Sequence, residues 1–208
     1  MSFLNISDRR IFQLGVKHVS SADPKIRQLI EKKGLIEFKA SGDSFESLVE
    51  AIISQQLNGQ AATAIFKKLK ASVRSETIEA YALSRIPASK LRNAGVSPQK
   101  SRYLKDLSSR VVKGRLDLNN LRKLPDEEVI RVLDEVMGIG PWTAQMFLLF
   151  TLGRPDILPV DDFGIQMAIQ RTYSLRKPPD ARRIRKIASN WHPYCSVASL
   201  YLWHSKDI

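Results

Sequence analysis

Apolar residues recur at helical spacing along most of the chain, and short breaks separate the segments. In "DSFESLVEAIISQQL" they fall at Phe45, Leu48, Val49, Ile52 and Ile53, which is the spacing that lines one face of an α-helix. No stretch of useful length alternates apolar and polar residues as a half-buried strand would. The pattern therefore predicts an all-α fold with about ten short helices.

Proline near the start of several segments supports the same prediction. Asp23 and Pro24 open "DPKIRQLIEKKG", and Gly34 closes it. "SPQKSRYLKDLSSRVV" again opens with Ser-Pro. Proline is favoured at the first helical position because its missing N–H costs nothing there and its φ angle is already helical.

The charge balance indicates a polyanionic partner. Lys and Arg number 33 against 21 Asp and Glu, which gives a formal net charge of +12. The cations concentrate in residues 90–115 and 171–186. Such clusters are either solvated helix faces or a surface for nucleic acid or an acidic membrane, and the net surplus favours the binding surface.

Other features exclude several classes of protein. No apolar run reaches the roughly 18 residues that a membrane span needs, and "MSFLNISDRR" has no signal-peptide core. Cys195 is the sole cysteine, which rules out an internal disulfide and argues against a Cys-ligated zinc or iron–sulfur cluster. His18, His192 and His204 show no ligand spacing, so no metal site is predicted. We expect an intracellular protein without a membrane partner.

Two glycines, one residue apart, separate two apolar runs in "VMGIGPWTAQMFLLF", residues 136–150. We expect one helix to end near Met137, with Gly138 in the left-handed conformation, and the next to begin at Pro141. Gly140 would leave the backbone bare before that helix, where N–H groups bind an anion such as a DNA phosphate. An ordinary tight turn between helices is the alternative, and the Gly-x-Gly pattern alone does not decide.

The surrounding motifs resemble the helix–hairpin–helix DNA glycosylase superfamily. "MGIGPWTAQMFLLF" followed by "LPVDDFGIQMAIQRTY" is similar to its hairpin and to the Asp-containing stretch after it. "EAIISQQLNGQAATAIF" and "NWHPYCSVASLYLW" resemble segments of the 3-methyladenine DNA glycosylases II, in particular the shorter, yeast-type members. The resemblance spans about residues 40–204.

The resemblance implies one catalytic Asp, and the sequence offers two neighbours. We choose Asp162 over Asp161 because the Arg-Thr pair that follows the catalytic Asp in the superfamily falls at the right distance from Asp162, at Arg171 and Thr172. Asp162 also lies where the N-cap of a helix would, and a plain capping role is the alternative.

The family's base pocket is carried over onto three positions. Trp142 and Trp203 match its pocket tryptophans, and Met146 stands where the bacterial enzyme has a Tyr. Core packing is the alternative for both tryptophans. Trp142 also occupies the position at which bifunctional relatives carry a Lys for a Schiff base, which implies a monofunctional enzyme without a lyase step.

The resemblance also implies which residues contact DNA. Leu57 falls where the family inserts an apolar wedge into the base stack, with Gln56 and Asn58 beside it. A core position is the alternative for Leu57. The hairpin residues Gly138, Ile139 and Gly140 would contact the DNA backbone. Two departures from the family pattern are the "LNGQ" stretch and Cys195, which stands where the family usually has Arg.

The resemblance further implies two helical lobes with DNA crossing the cleft between them. We expect residues 1–40 and 155–208 to form one lobe, and residues 41–154, with the wedge and the hairpin, to form the other. The implied activity is base excision repair: flipping an alkylated purine, of the 3-methyladenine or 7-methylguanine type, out of duplex DNA and hydrolysing its N-glycosidic bond. No cofactor is expected, apart from an alkali cation that hairpin carbonyls near Val136 and Ile139 can hold.

A second hypothesis keeps the fold and the wedge but not the catalysis. The chain would then be a protein that binds damaged or abasic double-stranded DNA. A helix-turn-helix regulator fits less well, because the sequence shows no element for a half-site dimer. We expect a monomer located with the genome, in the nucleus if the source is eukaryotic.

Overall fold

The chain is helical throughout the part that the computed structural model describes, residues 4–42, 44–73 and 77–205, and these residues form no strand. The α-helices of the described residues are α1 (Arg9–Ala22), α2 (Pro24–Lys33), α3 (Ser44–Ser54), α4 (Gly59–Val73), α5 (Ala80–Arg85), α6 (Ala88–Asn93), α7 (Pro98–Val112), α8 (Leu118–Leu121), α9 (Asp126–Asp134), α10 (Pro141–Met146), α11 (Phe163–Thr172), α12 (Ala181–Ile187) and α13 (Cys195–His204). A π-helical segment, Phe147–Thr151, follows α10, and a 3₁₀ turn, Ala188–Asn190, follows α12.

The predicted all-α class is confirmed. The helices are more numerous than expected because α5, α6 and α8 have only 6, 6 and 4 residues, too few to show an apolar period. The predicted starts at Pro24, Pro98 and Pro141 agree with the structure. No helix in the described ranges is both long and apolar enough to cross a membrane.

Contacts divide the chain into two compact units. The first comprises Met1–Ala40 and Leu148–Ile208, and the second comprises Ser41–Phe147. The boundary expected from the sequence lies at residue 154. The observed boundary comes earlier because the chain after Met146 continues as the π-helical segment, in which Leu148 and Leu149 are fully buried and belong to the first unit.

The first unit is built around α13. Every residue from Cys195 to Leu202 is buried, as expected for a helix that is apolar on all sides. Helices α1, α2 and α11 pack against it. Helix α13 carries Trp203, and α11 begins directly after Asp162, so this packing places two of the candidate site residues in the first unit.

The second unit is organised by α3 and α7. Helix α7 packs against α3, α5 and α6, α3 also packs against α4 and α8, and α9 packs against α10. Its core contains the fully buried side chains of Leu48, Ile52, Leu104, Leu107 and Leu133. The pairing of α9 with α10 forms the predicted hairpin.

A buried carboxylate connects distant parts of the first unit. Asp23 Oδ1 accepts from the N–H groups of Lys25 and Ile26 at the start of α2. Asp23 Oδ2 accepts from the Tyr173 hydroxyl at 2.5 Å and from Trp191 Nε1 at 2.9 Å. Burial and the Asp23 hydrogen bond raise the pKa of Tyr173, so its hydroxyl stays a neutral donor.

Asp23→Ala is expected to lower the free energy of unfolding by about 2–5 kcal/mol, because it leaves the buried donors of Tyr173 and Trp191 without an acceptor. Urea unfolding measures the change. Asp8→Ala is the matched control, since Asp8 also caps a helix, α1, but is exposed and accepts only from Arg10 N. It should cost about 1 kcal/mol, and equal losses for the two variants would contradict the role of the buried network.

Candidate functional site

The turn between α9 and α10 depends on both of its glycines, for different reasons. Gly138 has a φ of +84°, and a Cβ there would lie 2.1 Å from Cδ2 of Tyr103, so no other residue fits without rearrangement. Gly140 has an extended backbone, with φ −96° and ψ 178°, and a Cβ there would meet nothing within 4 Å. The backbone at Gly140 therefore faces open space directly before the helix that starts at Pro141.

Side chains from neighbouring helices hold this turn in place. Asp106 Oδ2 accepts the Met137 N–H at 2.9 Å and is itself held by Arg110 Nε at 3.0 Å. Gln55 Nε2 donates to the Gly138 carbonyl at 2.7 Å. Gln55, Tyr103 and Asp106 are not predicted from the sequence, since nothing in the linear pattern shows that they reach the hairpin.

Ile139 supports the turn from inside. Its side chain is only 2% exposed, and its N–H donates to the Val136 carbonyl at 3.0 Å. The N–H of Ile139 is thus engaged within the hairpin.

The loop between α3 and α4 presents Leu57. Gln56 adopts a positive φ of 56°, which is uncommon for a residue with a side chain and marks a tight turn. Leu57 is 39% exposed, unlike the buried apolar residues of the preceding helix. Asn58 Oδ1 accepts the Ala61 N–H at 2.9 Å, so this side chain caps α4.

Lys100 supports the same loop. Its Nζ donates to the carbonyls of Ile53 and Gln55 at 2.6 and 2.7 Å, the usual position for a cation at the C-terminal end of a helix. Burial lowers the pKa of Lys100. Lys100 belongs to the basic cluster of residues 90–115, but its ammonium group binds backbone carbonyls at the end of α3.

The loop and the hairpin share one cavity within the second unit. Its volume is about 570 Å³, and it is lined by Gln55, Gln56, Gly138, Ile139 and Gly140 among others. The structure therefore brings Gln56 and the three hairpin residues together. Leu57 lines a separate, smaller apolar cavity with Ile53 and Ile65. Trp142, 45% exposed, follows Pro141 in α10, and Met146 is half-buried at the end of that helix.

Asp162 lies in the first unit and begins α11. Its Oδ1 accepts the N–H of Ile165 at 2.7 Å and Nε1 of Trp203 at 2.9 Å. Gly164 makes this approach possible, since a Cβ there would lie 3.0 Å from Asp162 Oδ1 and 3.3 Å from the Trp203 indole. Asp161 is exposed, whereas Asp162 is 9% exposed. The predicted N-cap is present, and the carboxylate also has an aromatic partner.

Aromatic rings extend from Trp203 through the first unit. The Phe150 ring centroid lies 5.6 Å from that of Trp203, and the Phe38 centroid lies 6.2 Å from that of Phe150. Phe150 is 41% exposed. Phe150 and Phe38 are not predicted as site residues. In the sequence, an apolar residue near the end of a helical run has the same pattern as a residue of the hydrophobic core.

The cationic side chains of the two basic clusters differ in whether they face solvent or bind the protein backbone. In residues 171–186 the cationic side chains all belong to exposed residues, namely Arg171, Arg176, Lys177, Arg182, Arg183, Arg185 and Lys186. In residues 90–115, Lys100 and Lys105 instead turn inwards to backbone carbonyls. The exposed cations of residues 171–186 remain available for the polyanionic partner that the net charge predicts.

Cys195, where the family pattern has Arg, begins α13. Its N–H donates to Asp156 Oδ1 at 3.1 Å, and its Sγ lies 3.5 Å from Nδ1 of His192. Burial raises the pKa of the Cys195 thiol, and the charge of Asp156 raises it further. Asp156 lies 39 positions away in the chain, so the linear pattern gives no sign of this contact.

Comparison with known proteins decides the family. A match to the HhH-GPD superfamily of base excision DNA repair proteins spans residues 49–193. The chain belongs to that superfamily. The predicted family is thereby confirmed, and the hairpin described above is its helix–hairpin–helix element. Since the match extends from α3 to the residues before α13, it includes the loop, the hairpin and Asp162.

Solved structures agree with this assignment. A DNA-3-methyladenine glycosidase from Bacillus halodurans is 33% identical with a TM-score of 0.83, and the match covers 99% of this chain and 92% of that one. The 3-methyladenine DNA glycosylase Mag1 from Schizosaccharomyces pombe, solved in complex with abasic DNA, is 28% identical with a TM-score of 0.84, covering 93% and 97% of the two chains. YfjP of Bacillus subtilis is 33% identical over 167 residues, 77% of this chain, and this chain spans 58% of its length.

The two hairpin glycines offer a test of the turn. Gly138→Ala should destabilise the protein by about 1–3 kcal/mol, since it combines an unfavourable φ with a clash against Tyr103. Gly140→Ala should leave the thermal midpoint within about a degree, because the extended backbone accepts Ala, yet weaken binding to duplex DNA by placing a methyl group on the open backbone. Thermal melting and fluorescence anisotropy measure the two effects. Unchanged DNA affinity of Gly140→Ala would contradict a contact at this point.

Proposed function

We propose that this protein is a monofunctional DNA glycosylase that hydrolyses the N-glycosidic bond of alkylated purines in duplex DNA. The observation that carries the proposal is the Asp162 carboxylate, fixed by Ile165 N–H and Trp203 Nε1–H next to partly exposed aromatic rings. Family membership and the two solved 3-methyladenine glycosylases support the reaction class.

The aromatic rings account for the choice of base. An N-alkylated purine is a cation, and a cation over an aromatic face gains about 0.5–2 kcal/mol. Trp203 and Phe150 offer such faces beside the carboxylate, and Trp142 offers a further exposed indole in the second unit. Met146, where the bacterial enzyme has a Tyr, adds a polarisable thioether in place of a ring.

The carboxylate accounts for the chemistry. As the bond between C1′ and the purine nitrogen breaks, its electron pair leaves with the base and positive charge develops on the deoxyribose. Asp162 stabilises that charge electrostatically. The oxygen of a water molecule then bonds to C1′, and the proton that water loses passes to the carboxylate or to solvent. A cationic base is a good leaving group, so no separate general acid is required.

The hairpin and the wedge account for DNA binding. Backbone N–H groups at and after Gly140 contact a phosphate, which fixes position but not sequence. Carbonyls near Val136 and Ile139 would hold an alkali cation, which supplies positive charge next to that phosphate. Leu57 fills the space that the flipped nucleotide leaves, and Gln56 and Asn58 contact the flanking bases.

Further properties follow from this assignment. Trp142 stands in place of the Lys that a Schiff base requires, so the enzyme leaves an abasic site intact. Binding weakens steeply with salt, because phosphate contacts release counterions. The protein acts as a monomer on genomic DNA, and in a eukaryotic source it acts in the nucleus.

Asp162→Asn is expected to reduce the single-turnover release of methylated purines by about 10²–10³-fold, since it removes the charge that stabilises the transition state. Chromatography of bases released from methylated duplex DNA measures the rate. Asp161→Asn is the matched control, because Asp161 is the exposed neighbour, and it should release base at the wild-type rate. Affinity for abasic DNA should stay within about threefold of wild type in both variants.

The same assay separates the enzyme from a non-catalytic damage-binding protein. Equal release by Asp162→Asn and wild type would remove Asp162 from its role. No release by the wild-type protein, together with tight binding to abasic DNA, would favour the binding protein.

Trp203→Phe tests the positioning of the carboxylate. It keeps an aromatic ring but removes the Nε1–H that binds Asp162 Oδ1. A hydrogen bond to a charged group contributes about 1.5–3 kcal/mol, so we expect the single-turnover rate to fall about 10–100-fold. Affinity for abasic DNA should change little. A wild-type rate for this variant would show that the hydrogen bond has no part in catalysis.

A further inference from the structure

Three potential metal ligands of different chemistry meet at the start of α13. A carboxylate oxygen of Asp156, a ring nitrogen of His192 and the Cys195 sulfur all lie within 4.8 Å of one another. Among the described residues, this group of three potential metal ligands includes a sulfur ligand, the Cys195 thiol. We propose that Asp156, His192 and Cys195 bind a single Zn²⁺ ion, a site independent of the base-excision reaction proposed above.

The distances suit a tetrahedral ion. Zinc binds sulfur at about 2.3 Å, and nitrogen or oxygen at about 2.0–2.2 Å, which puts neighbouring ligand atoms about 3.3–3.6 Å apart. His192 Nδ1 and Cys195 Sγ are 3.5 Å apart. His192 Nδ1 and Asp156 Oδ2 are 2.8 Å apart, a hydrogen bond that must open by about half an ångström for the ion to enter between them.

The mixed ligand set identifies the class of cation. Thiolate and imidazole together select zinc over the hard cations magnesium and calcium, which prefer all-oxygen sites. Three protein ligands leave one position for water.

The backbone around the ligands is already held in place. Ser196 Oγ donates to the Arg154 carbonyl at 2.7 Å and accepts the Ile157 N–H at 2.9 Å. Ser196 N–H donates to the Pro155 carbonyl at 3.0 Å. These bonds join the segment on both sides of Asp156 to the residue after Cys195. Two of the three ligands are thus fixed relative to each other before any ion binds, which reduces the entropic cost of binding.

The ligands also provide a path for the ion. The His192 side chain is 53% exposed and that of Asp156 is 31% exposed, whereas Cys195 is buried. The ion therefore enters from the imidazole side and reaches the sulfur last. Asp156 Oδ1 accepts the Cys195 N–H at 3.1 Å, an outer contact that orients the carboxylate.

A nucleophilic role for the same residues fits less well. A Cys–His–Asp triad uses the two nitrogens of the imidazole for different partners. Here Nδ1 is the atom that faces both Asp156 Oδ2 and Cys195 Sγ. One nitrogen cannot hold the carboxylate and at the same time accept the thiol proton, but it can be one of three ligands around a shared ion.

Cobalt substitution tests the site. The full chain, freed of metal with a chelator, is titrated with Co²⁺, and the thiolate-to-cobalt absorption in the near ultraviolet is recorded. Because Cys195 is the sole cysteine, that band can arise only from this residue. We expect a saturable band with a single equivalent, displaced by Zn²⁺, and a thermal midpoint that rises by several degrees with Zn²⁺.

Variants assign the remaining ligands. Cys195→Ser should abolish the band, and His192→Gln or Asp156→Asn should weaken cobalt binding at least about tenfold. His204→Gln is the matched control, since its ring bonds the Leu200 carbonyl outside the cluster, and it should bind like wild type. His192→Gln changes an exposed side chain, so it remains informative if Cys195→Ser does not fold.

Two results would overturn the proposal. One is the absence of the band at millimolar Co²⁺. The other is a band that His192→Gln and Asp156→Asn leave unchanged, which would mean that the thiol alone captures cobalt. Base release by the metal-free wild type is measured in parallel, and it should persist, since Asp162 and the aromatic rings lie outside the cluster.

Discussion

A single oxygen atom, Oδ1 of Asp162, connects folding to chemistry. It accepts the Ile165 N–H and so begins α11, and it accepts Trp203 Nε1–H and so joins α11 to α13. The carboxylate is therefore oriented by groups that the fold itself requires, before any substrate arrives. Such preorganisation is what makes a charge effective in a transition state, because no reorientation has to be driven at the moment of reaction. In the reaction proposed above, the N-cap and the catalytic role are therefore compatible functions of this residue.

The hairpin of the second unit is held in place by the same principle. The hairpin backbone is held by side chains from elsewhere in that unit: Asp106 binds the Met137 N–H, Gln55 binds the Gly138 carbonyl, and the Tyr103 ring lies where a side chain at Gly138 would be. Gln55 belongs to the loop that presents Leu57, and Lys100 ends the helix before that loop. A direct hydrogen bond therefore joins the loop that presents Leu57 to the hairpin.

Local signals in the sequence were sufficient for the all-α class, for the helix starts at Pro24, Pro98 and Pro141, and for the left-handed Gly138, since each depends on residues close in the chain. The groups that hold the site were not predictable in this way. Gln55 reaches Gly138 across 83 positions, and Trp203 reaches Asp162 across 41. Helices that are too short to show an apolar period cannot be predicted from a local sequence pattern. The exposure of residues such as Phe150 cannot be predicted in this way either, because it depends on neighbours in the fold. The likeness to a family supplied Trp203 and Asp162 as a pair, but not the bond between them.

Cys195, which departs from the family pattern, begins α13 beside two polar side chains. The Asp156 carboxylate accepts the N–H at the start of α13 and contacts the His192 ring. The positive end of a helix dipole also favours a carboxylate at that place. These contacts connect the segment before α11 to the start of α13. In the metal site proposed above, the same carboxylate, ring and thiol are the ligands of the ion, so the groups that join the two segments are also the groups that would bind it.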